Sequence, residues 1–276
     1  MDQAKRAKCF RALHARDGAF VIPNPFDVGS ARLLASQGFE ALATTSAGCA
    51  FAMGRPEGQL SEPEVLDHCR AIVEATPLPA SADLEKGFGD SPDEVERTVR
   101  LAAATGLAGC SIEDHTGRPE DPIFALDLAI ERIEAAVAAA RSLEHDFVLT
   151  ARAENFLHGR PDLDETIRRL EGFEAAGADV LYAPGLPGLE AIRTVCASVR
   201  RPVNVVMGMP GDTFTVHELA EAGVKRISVG SALARLAYGA LLDAGREMRE
   251  RGTFDFAERA AGFAELNAVF ESGRAS

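Results

Sequence analysis

The sequence predicts a single (β/α)₈ barrel, and two repeated patterns support this fold class. At four points, after Gly38, Gly106, Gly177 and Gly223, an apolar run begins within a few residues of a glycine. A glycine that ends a helix in the left-handed conformation, followed by a strand, is typical of wound α/β proteins. Eight short apolar runs, the strand count of this barrel, alternate with helical patterns. An open doubly wound sheet is the alternative, because the sequence does not show the order of the strands.

The predicted strands and helices differ in the spacing of their apolar residues. The strands are Phe20–Pro23, Ala41–Thr44, Leu78–Ala82, Gly109–Ile112, Phe147–Ala151, Val180–Tyr182, Val203–Val206 and Ile227–Val229. Between them apolar residues recur at helical spacing, as at Val65, Cys69 and Ile72. Such spacing gives a helix one apolar face that packs on a sheet. A chain of 276 residues is within the range of this barrel as one domain.

The segment after the eighth strand exceeds what the barrel needs for closure. It predicts two further helices, Ala232–Glu250 and Phe254–Phe270, separated by Arg251-Gly252-Thr253. The second carries an apolar stripe that favours packing on a partner subunit, with packing on the same chain as the alternative. We therefore expect one barrel domain over residues 1–276, with residues 253–276 as a C-terminal helical extension, in a homo-oligomer.

Composition restricts the classes of function. The chain has 42 acidic and 29 basic residues, and its formal charge of −13 argues against binding nucleic-acid phosphates or anionic lipid. The five cysteines are odd in number and widely spaced, which indicates neither a disulfide framework nor a metal site. The N-terminal segment is polar, and no apolar run approaches the roughly 20 residues that span a bilayer. We expect a cytoplasmic protein without a nucleic-acid or membrane partner.

Carboxylates follow two neighbouring predicted strands. Asp83 and Glu85 come after the third strand, and Glu113 follows the fourth. If the strands are parallel neighbours, the three side chains converge at one end of the sheet. Oxygen ligands without a histidine or cysteine cluster favour Mg²⁺, or Mn²⁺, over zinc. The alternative is that these acids are helix caps and surface charges.

The other strand ends add polar groups to the same predicted rim. Small residues, Thr44-Thr45-Ser46-Ala47-Gly48, follow the second strand, and their backbone N–H groups suit a carboxylate or an oxyanion. Asn204 lies on the seventh strand and is a candidate for substrate binding.

Two positions near the fourth and fifth strands are candidates for catalysis. Arg152, after the fifth strand, suits a bidentate clamp on a substrate carboxylate, with a surface salt bridge as the alternative. Glu154 either orients Arg152 or acts as an acid or base. His115 is a candidate for proton transfer, although exposed loop histidines are common.

These residues together resemble the isocitrate lyase and phosphoenolpyruvate mutase superfamily over nearly the whole chain. The matching motifs are Thr45-Ser46-Ala47-Gly48, Asp83-Leu84-Glu85-Lys86-Gly87-Phe88-Gly89, Ser111-Ile112-Glu113-Asp114 and Ala151-Arg152-Ala153-Glu154. The resemblance implies a (β/α)₈ barrel whose terminal helix is exchanged between subunits of a homodimer or homotetramer.

The resemblance also implies a magnesium site and a substrate class. Mg²⁺ would be held by Asp83 and, largely through water, by Glu85, Glu113 and Glu57. It would chelate a small 2-oxo carboxylate, of the pyruvate, oxaloacetate or α-ketoglutarate type, or its enolate. The groups implied to hold the substrate are Thr44, Ser46, the amides of Ala47 and Gly48, Asp83, Arg152 and Asn204.

The chain departs from the superfamily after Glu113. The lyases carry a long gating loop there with a K-K-C-G-H motif, whereas this chain has only residues 115–122 before its next helix. Tyr182 is followed by Ala183-Pro184-Gly185, without the glutamate of the lyases. We therefore expect a Mg²⁺-dependent C–C or C–P lyase or decarboxylase-like enzyme that uses a metal-stabilised enolate, but not a standard isocitrate or methylisocitrate lyase. The alternative is a 2-oxo acid binding protein with little or no turnover.

Overall fold

Eight parallel strands form the central sheet of the computed structural model, which describes residues 1–272. They are β1 (Phe20–Ile22), β2 (Leu42–Ala43), β3 (Ala80–Asp83), β4 (Gly109–Glu113), β5 (Val148–Arg152), β6 (Val180–Tyr182), β7 (Val203–Val206) and β8 (Arg226–Ser228). Each overlaps a predicted strand. The strand order is β1-β8-β7-β6-β5-β4-β3-β2, so the first and last strands are paired. Between β1 and β2, the Ala43 N–H donates to the Pro23 carbonyl at 3.1 Å. The barrel is confirmed, and the open sheet is excluded.

Helices surround the strands. In the described residues they are α1 (Gln3–Ala15), α2 (Val28–Ser36), α3 (Ser46–Ala52), α4 (Glu62–Ala75), α5 (Pro92–Ala103), α6 (Leu126–Arg141), α7 (Leu163–Ala175), α8 (Gly188–Ser198), α9 (Val216–Glu221), α10 (Ala232–Arg251) and α11 (Phe263–Ser272). The apolar stripe predicted for α4 is buried at Val65, Cys69 and Ile72. No helix in residues 1–272 is both long and apolar enough to cross a bilayer.

The N-terminal helix α1 closes the bottom of the barrel. Phe10 is fully buried in a cluster with Phe20 and Val148, at the ends of the strands opposite to those that carry the site residues. Gly109 at the start of β4 is required here, because a Cβ atom would lie 2.3 Å from the Val148 carbonyl oxygen. The closed bottom leaves the barrel interior accessible from the other end.

The C-terminal extension differs from the prediction of one helix over Phe254–Phe270. A short 3₁₀ helix covers Asp255–Arg259, Ala260 is extended, and α11 begins only at Phe263. Phe263, the first residue of α11, is 84% exposed. α11 contacts α2 of the same chain. Residues 273–276 of the predicted extension lie outside the described residues.

Candidate active site

A cavity of about 750 Å³ opens at the C-terminal ends of the strands. Parallel pairing aligns five of its inward-facing residues in one row from β4 to β8. This row is Glu113, Arg152, Tyr182, Asn204 and Arg226. The predicted site residues that line the cavity are Thr44, Ser46, Ala47, Glu57, Asp83, Glu85, Glu113, His115, Arg152, Glu154 and Asn204. The structure thus brings together almost the whole predicted set.

Arg152 is the electrostatic centre of the cavity. Its Nε atom lies 2.8 Å from Oε1 of Glu154, and its Nη1 atom pairs with Asp83 at 3.3 Å and with Glu113. The guanidinium also lies over the ring of Tyr182, 4.6 Å from the ring centroid. The alternative of a surface salt bridge is wrong, because only 12% of the Arg152 side chain is exposed. Nη2 is its one guanidinium nitrogen without a partner among the described residues, and is free for an anion.

We call Glu57, Asp83, Glu85 and Glu113 the acidic wall. Asp83 is fixed from two sides, because its backbone N–H donates to Thr44 Oγ1 at 2.9 Å and its Oδ2 accepts from the Ser46 N–H at 3.1 Å. The hydroxyl of Ser46 donates to Oε1 of Glu57 at 2.8 Å. The residues of the second strand end therefore position the carboxylates of the third.

Glu85 is held in an uncommon backbone conformation. Its φ of 50° is left-handed, which is unfavourable for a residue with a long side chain. The Glu113 N–H donates to the Glu85 carbonyl at 2.9 Å and stabilises this turn. Burial raises the pKa of Glu85 to about 7, and the charge of Asp83 adds to the increase. Burial likewise holds the pKa of Glu113 well above its usual range, although Arg152 opposes the shift.

The acidic wall suits a hydrated Mg²⁺ better than a dehydrated metal cage. No group of three or more His, Cys, Asp or Glu side chains within residues 1–272 is placed to hold a metal ion directly. Mg²⁺, however, keeps several of its waters and is usually bound by only one or two carboxylates. The charges of Asp83 and Glu57 both raise the pKa of Glu85, so these carboxylates repel one another across the cavity. A divalent cation relieves this repulsion, and the all-oxygen donor set fits it.

His115 and Glu154 lie on either side of the Arg152 cluster. Nε2 of His115 is 2.9 Å from Oε2 of Glu113, and its Nδ1 is buried without a partner among the described residues. Its ring stacks on His158, with centroids 5.4 Å apart. Burial raises the pKa of Glu154 to about 8. Because Glu154 contacts Nε of Arg152, the geometry favours its orienting role.

Gly48 is the predicted site residue that does not line the cavity. Ser46 opens α3, and Thr45 caps this helix by accepting from the Gly48 N–H at 3.3 Å. The Gly48 amide therefore serves the helix, while Ser46 and Ala47 face the cavity. Asp114, next to Glu113, turns outward and pairs with Arg169 at 3.1 Å.

Sequence reasoning missed the wall opposite the acids. We call Asn204, Ser228 and Arg226 the far wall, and only Asn204 was predicted. Arg226 is the first residue of β8, one position before the predicted start of that strand. The available signal was a charged residue within an otherwise apolar strand, two positions before Ser228 and therefore on the same, inward face.

A family model described as phosphoenolpyruvate phosphomutase matches residues 10–249. The chain belongs to this family. The resemblance to the isocitrate lyase and phosphoenolpyruvate mutase superfamily is thereby confirmed.

Relatives of this family member are enzymes. The 2-methylisocitrate lyase of Escherichia coli K12 is 31% identical over 227 residues, covering 79% of this chain and 75% of the lyase. A solved structure from Burkholderia cenocepacia J2315, described only as a lyase or mutase, is 57% identical with a TM-score of 0.95, covering 97% of this chain and 96% of that one. Oxaloacetate acetylhydrolase in complex with oxalate is 28% identical with a TM-score of 0.88, covering 99% of this chain and 96% of that one. The chain is thus an enzyme of a family whose members act on small carboxylates.

In this family member the loop after β4 is short and anchored. Lys86 Nζ donates to the Thr116 carbonyl at 3.0 Å and to Asp90 at 2.5 Å. Arg118 in the loop pairs with the same Asp90 at 2.5 Å. Lys86 therefore fastens the loop. His115 and Gly117 of the loop line the cavity.

Proposed function

We propose that the protein is a Mg²⁺-dependent lyase or decarboxylase-like enzyme that breaks a C–C or C–P bond beside the carbonyl of a small 2-oxo carboxylate. The observation that carries the proposal is the convergence of Arg152 with the acidic wall in one cavity. Mg²⁺ is the expected cofactor, and Mn²⁺ is expected to replace it.

The protein groups around Arg152 suit the carboxylate end of such a substrate. Nη2 of Arg152 is available for it, and Ala47, in the first turn of α3, lines the cavity. Glu154 and Tyr182 hold the guanidinium in place. A cation bound at Asp83, with Glu85, Glu113 and Glu57 acting through water, would neutralise charge that develops on the substrate oxygen.

The electron count of the reaction is simple. When the bond from the carbon next to the carbonyl to its leaving group breaks, the electron pair of that bond forms a C=C bond and the carbonyl π pair moves onto the oxygen. The leaving group departs without the pair, as CO₂ or as a phosphoryl group that water takes up. The resulting enolate is then protonated on carbon to give a 2-oxo acid. We assign this proton transfer to His115, which lines the cavity beside Glu113.

Product formation on a panel of small carboxylates, two 2-oxo acids and methylisocitrate, tests the proposal. Oxaloacetate, phosphonopyruvate and methylisocitrate are incubated with the protein, with Mg²⁺ or with a chelator, and products are followed by NMR. We expect turnover of at least one oxaloacetate- or phosphonopyruvate-type substrate, which requires Mg²⁺ and is lost in Asp83→Ala. Asp93→Ala, at an exposed carboxylate on α5, is the control. Metal-independent turnover that survives Asp83→Ala would overturn the proposal.

The same panel separates an enzyme from a binding protein. Saturable, Mg²⁺-dependent stabilisation by 2-oxo acids without product would favour the binding protein, because a ligand that prefers the folded state raises the melting temperature.

We also propose that the chain assembles as a homodimer or homotetramer through its C-terminal helices. Leu236, Leu241 and Leu242 on α10, together with Phe254 and Phe263, are large apolar side chains more than half exposed in the isolated chain. Light scattering of the purified protein tests this. We expect a mass of two or four chains, whereas a monomer that persists at high concentration contradicts it.

A further inference from the structure

The far wall of the cavity contains a buried positive charge without an acidic partner. Arg226 is 5% exposed, lines the cavity and donates from Nε to Oδ1 of Asn204 at 2.8 Å. Its Nη1 atom is buried and has no hydrogen-bond partner among the described residues. Burial lowers the pKa of Arg226 to about 10; Tyr182 opposes this shift, the charge of Arg152 adds to it, and no carboxylate within residues 1–272 acts on it. Arg226 is therefore still a cation at neutral pH.

The groups around Arg226 do not balance its charge. Asn204 is a neutral amide, and its Nδ2 is directed to Ser228 Oγ at 3.0 Å. Burial keeps the pKa of Tyr182 well above its usual range, so its hydroxyl is neutral as well. Below the cavity, burial lowers the pKa of His14 to about 3, and Arg226 contributes to that shift. A neutral His14 can accept a hydrogen bond, but it adds no negative charge.

A merely structural role does not account for this arrangement. Orienting Asn204 needs one hydrogen-bond donor, which a neutral side chain supplies without burying a charge. A buried charge that lacks a partner is strongly unfavourable, whereas a paired and hydrogen-bonded one is tolerated. An anionic group entering the cavity would supply the missing partner.

Arg226 and Arg152 lie in the same cavity, at different positions along the barrel wall. The two arginines occupy the same row on β5 and β8, three strand spacings or about 14 Å apart along the barrel wall. Both side chains line the cavity, and they are close enough for the charge of Arg152 to lower the pKa of Arg226.

We propose that Arg226 binds the distal carboxylate of the substrate, and that the substrate is therefore a 2-oxo dicarboxylate. The inference rests on the proposed function, because Arg152 and the acidic wall are taken to hold the other end of the ligand. Asn204 acts as a positioning residue, since it fixes the Arg226 guanidinium through Nε.

Calorimetric binding with two probes tests the proposal. Oxalate carries only the two-carbon end that Arg152 and the acidic wall would hold, whereas 3,3-difluorooxaloacetate adds a distal carboxylate. In the presence of Mg²⁺, Arg226→Gln should weaken difluorooxaloacetate binding by about 30-fold or more, because a buried charge partner is lost. Oxalate affinity should change by less than about threefold. Arg226→Lys keeps the charge and should recover part of the difluorooxaloacetate affinity.

The outcomes distinguish the two proposals. An Arg226→Gln variant that binds both probes as the wild type does, or that loses both equally, overturns the role of Arg226. If Arg226→Gln does not fold, Arg226→Lys decides: weakened binding of both probes alike overturns the role, and selective weakening of difluorooxaloacetate supports it. A wild-type protein that fails to bind oxalate with Mg²⁺ sinks the proposed function, and the inference with it.

Discussion

The acidic wall and the far wall face each other across one cavity, and their charges are balanced differently. In the acidic wall, Asp83 and Glu113 both pair with the guanidinium of Arg152, and the charges of Asp83 and Glu57 raise the pKa of Glu85. In the far wall, Arg226 hydrogen-bonds to the neutral amide of Asn204, and no carboxylate within residues 1–272 acts on its pKa. The first wall is therefore completed by a cation and the second by an anion. A chelated 2-oxo acid with a second carboxylate provides both.

Arg152→Gln is expected to have the largest effect, because it removes the guanidinium that pairs with Asp83 and Glu113 and that is also the proposed substrate clamp. We expect turnover to fall by about 1,000-fold and the free energy of unfolding to fall by about 3–5 kcal/mol, as for other broken buried ion pairs. Steady-state kinetics and urea unfolding measure the two effects. Arg246→Gln, at an exposed arginine on α10, should change neither. Near-normal turnover in Arg152→Gln would show that the acidic wall does not depend on this cation.

Asn204→Asp is expected to remove the difference in charge balance between the acidic wall and the far wall. The new carboxylate lies beside Arg226 and competes with the distal carboxylate of the ligand. We expect difluorooxaloacetate to bind about 30-fold more weakly. Oxalate binding by calorimetry serves as the internal control and should be unaffected. Unchanged affinity for both ligands would mean that the far wall does not contact the substrate.

Lowering the pH should destabilise the folded protein through His14, which lies below the cavity. Its folded-state pKa of about 3 lies below the unfolded value of about 6.5, so the unfolded chain takes up the proton first. Stability is therefore lost as the pH falls, and His14 alone accounts for about 2 kcal/mol between about pH 7 and pH 5. In urea unfolding, His14→Gln should show a correspondingly shallower dependence on pH, while the exposed control His217→Gln should follow the wild type. Parallel curves for all three proteins would contradict a neutral, buried His14.

Glu85→Asn is expected to have the smallest effect on stability. Asparagine adopts the left-handed conformation of residue 85 more readily than glutamate does, and the substitution removes a carboxylate that repels Asp83. We expect the free energy of unfolding to rise by about 1 kcal/mol, while affinity for Mn²⁺ in a calorimetric titration falls. Glu85→Gln removes the same charge without the backbone preference and should be the less stable of the two. Equal stabilities would show that the left-handed backbone carries no cost.

Much of the fold could be predicted because its signals are local. The glycines before the apolar runs and the helical spacing of Val65, Cys69 and Ile72 depend only on neighbouring residues, and the eight strands follow from them. The role of α1 in closing the bottom of the barrel could not be predicted, because it depends on contacts between Phe10 and strand ends that are distant in the sequence. The prediction of one continuous helix over Phe254–Phe270 was also wrong, because the backbone is extended at Ala260 although the apolar residues have helical spacing.

The candidate site likewise has a part that could be predicted from the sequence and a part that could not. Asp83, Glu85 and Glu113 of the acidic wall lie at or just after the ends of β3 and β4, so parallel pairing brings them together, whereas Glu57 lies between α3 and α4 and was named only through the family resemblance. Arg226 was missed because its significance lies in what surrounds it, the absence of a carboxylate from any neighbouring strand in the described structure. Gly48 shows the converse, since a plausible amide is already used by the Thr45 cap.

The most direct test of this account is a crystal structure of the protein with Mn²⁺ and 3,3-difluorooxaloacetate, with anomalous scattering used to locate the metal. We predict one manganese peak beside Asp83, with the 2-oxo acid end of the ligand at Arg152 and its distal carboxylate at Arg226. A cavity with no manganese peak beside Asp83, or a ligand whose distal carboxylate points away from Arg226, would contradict it.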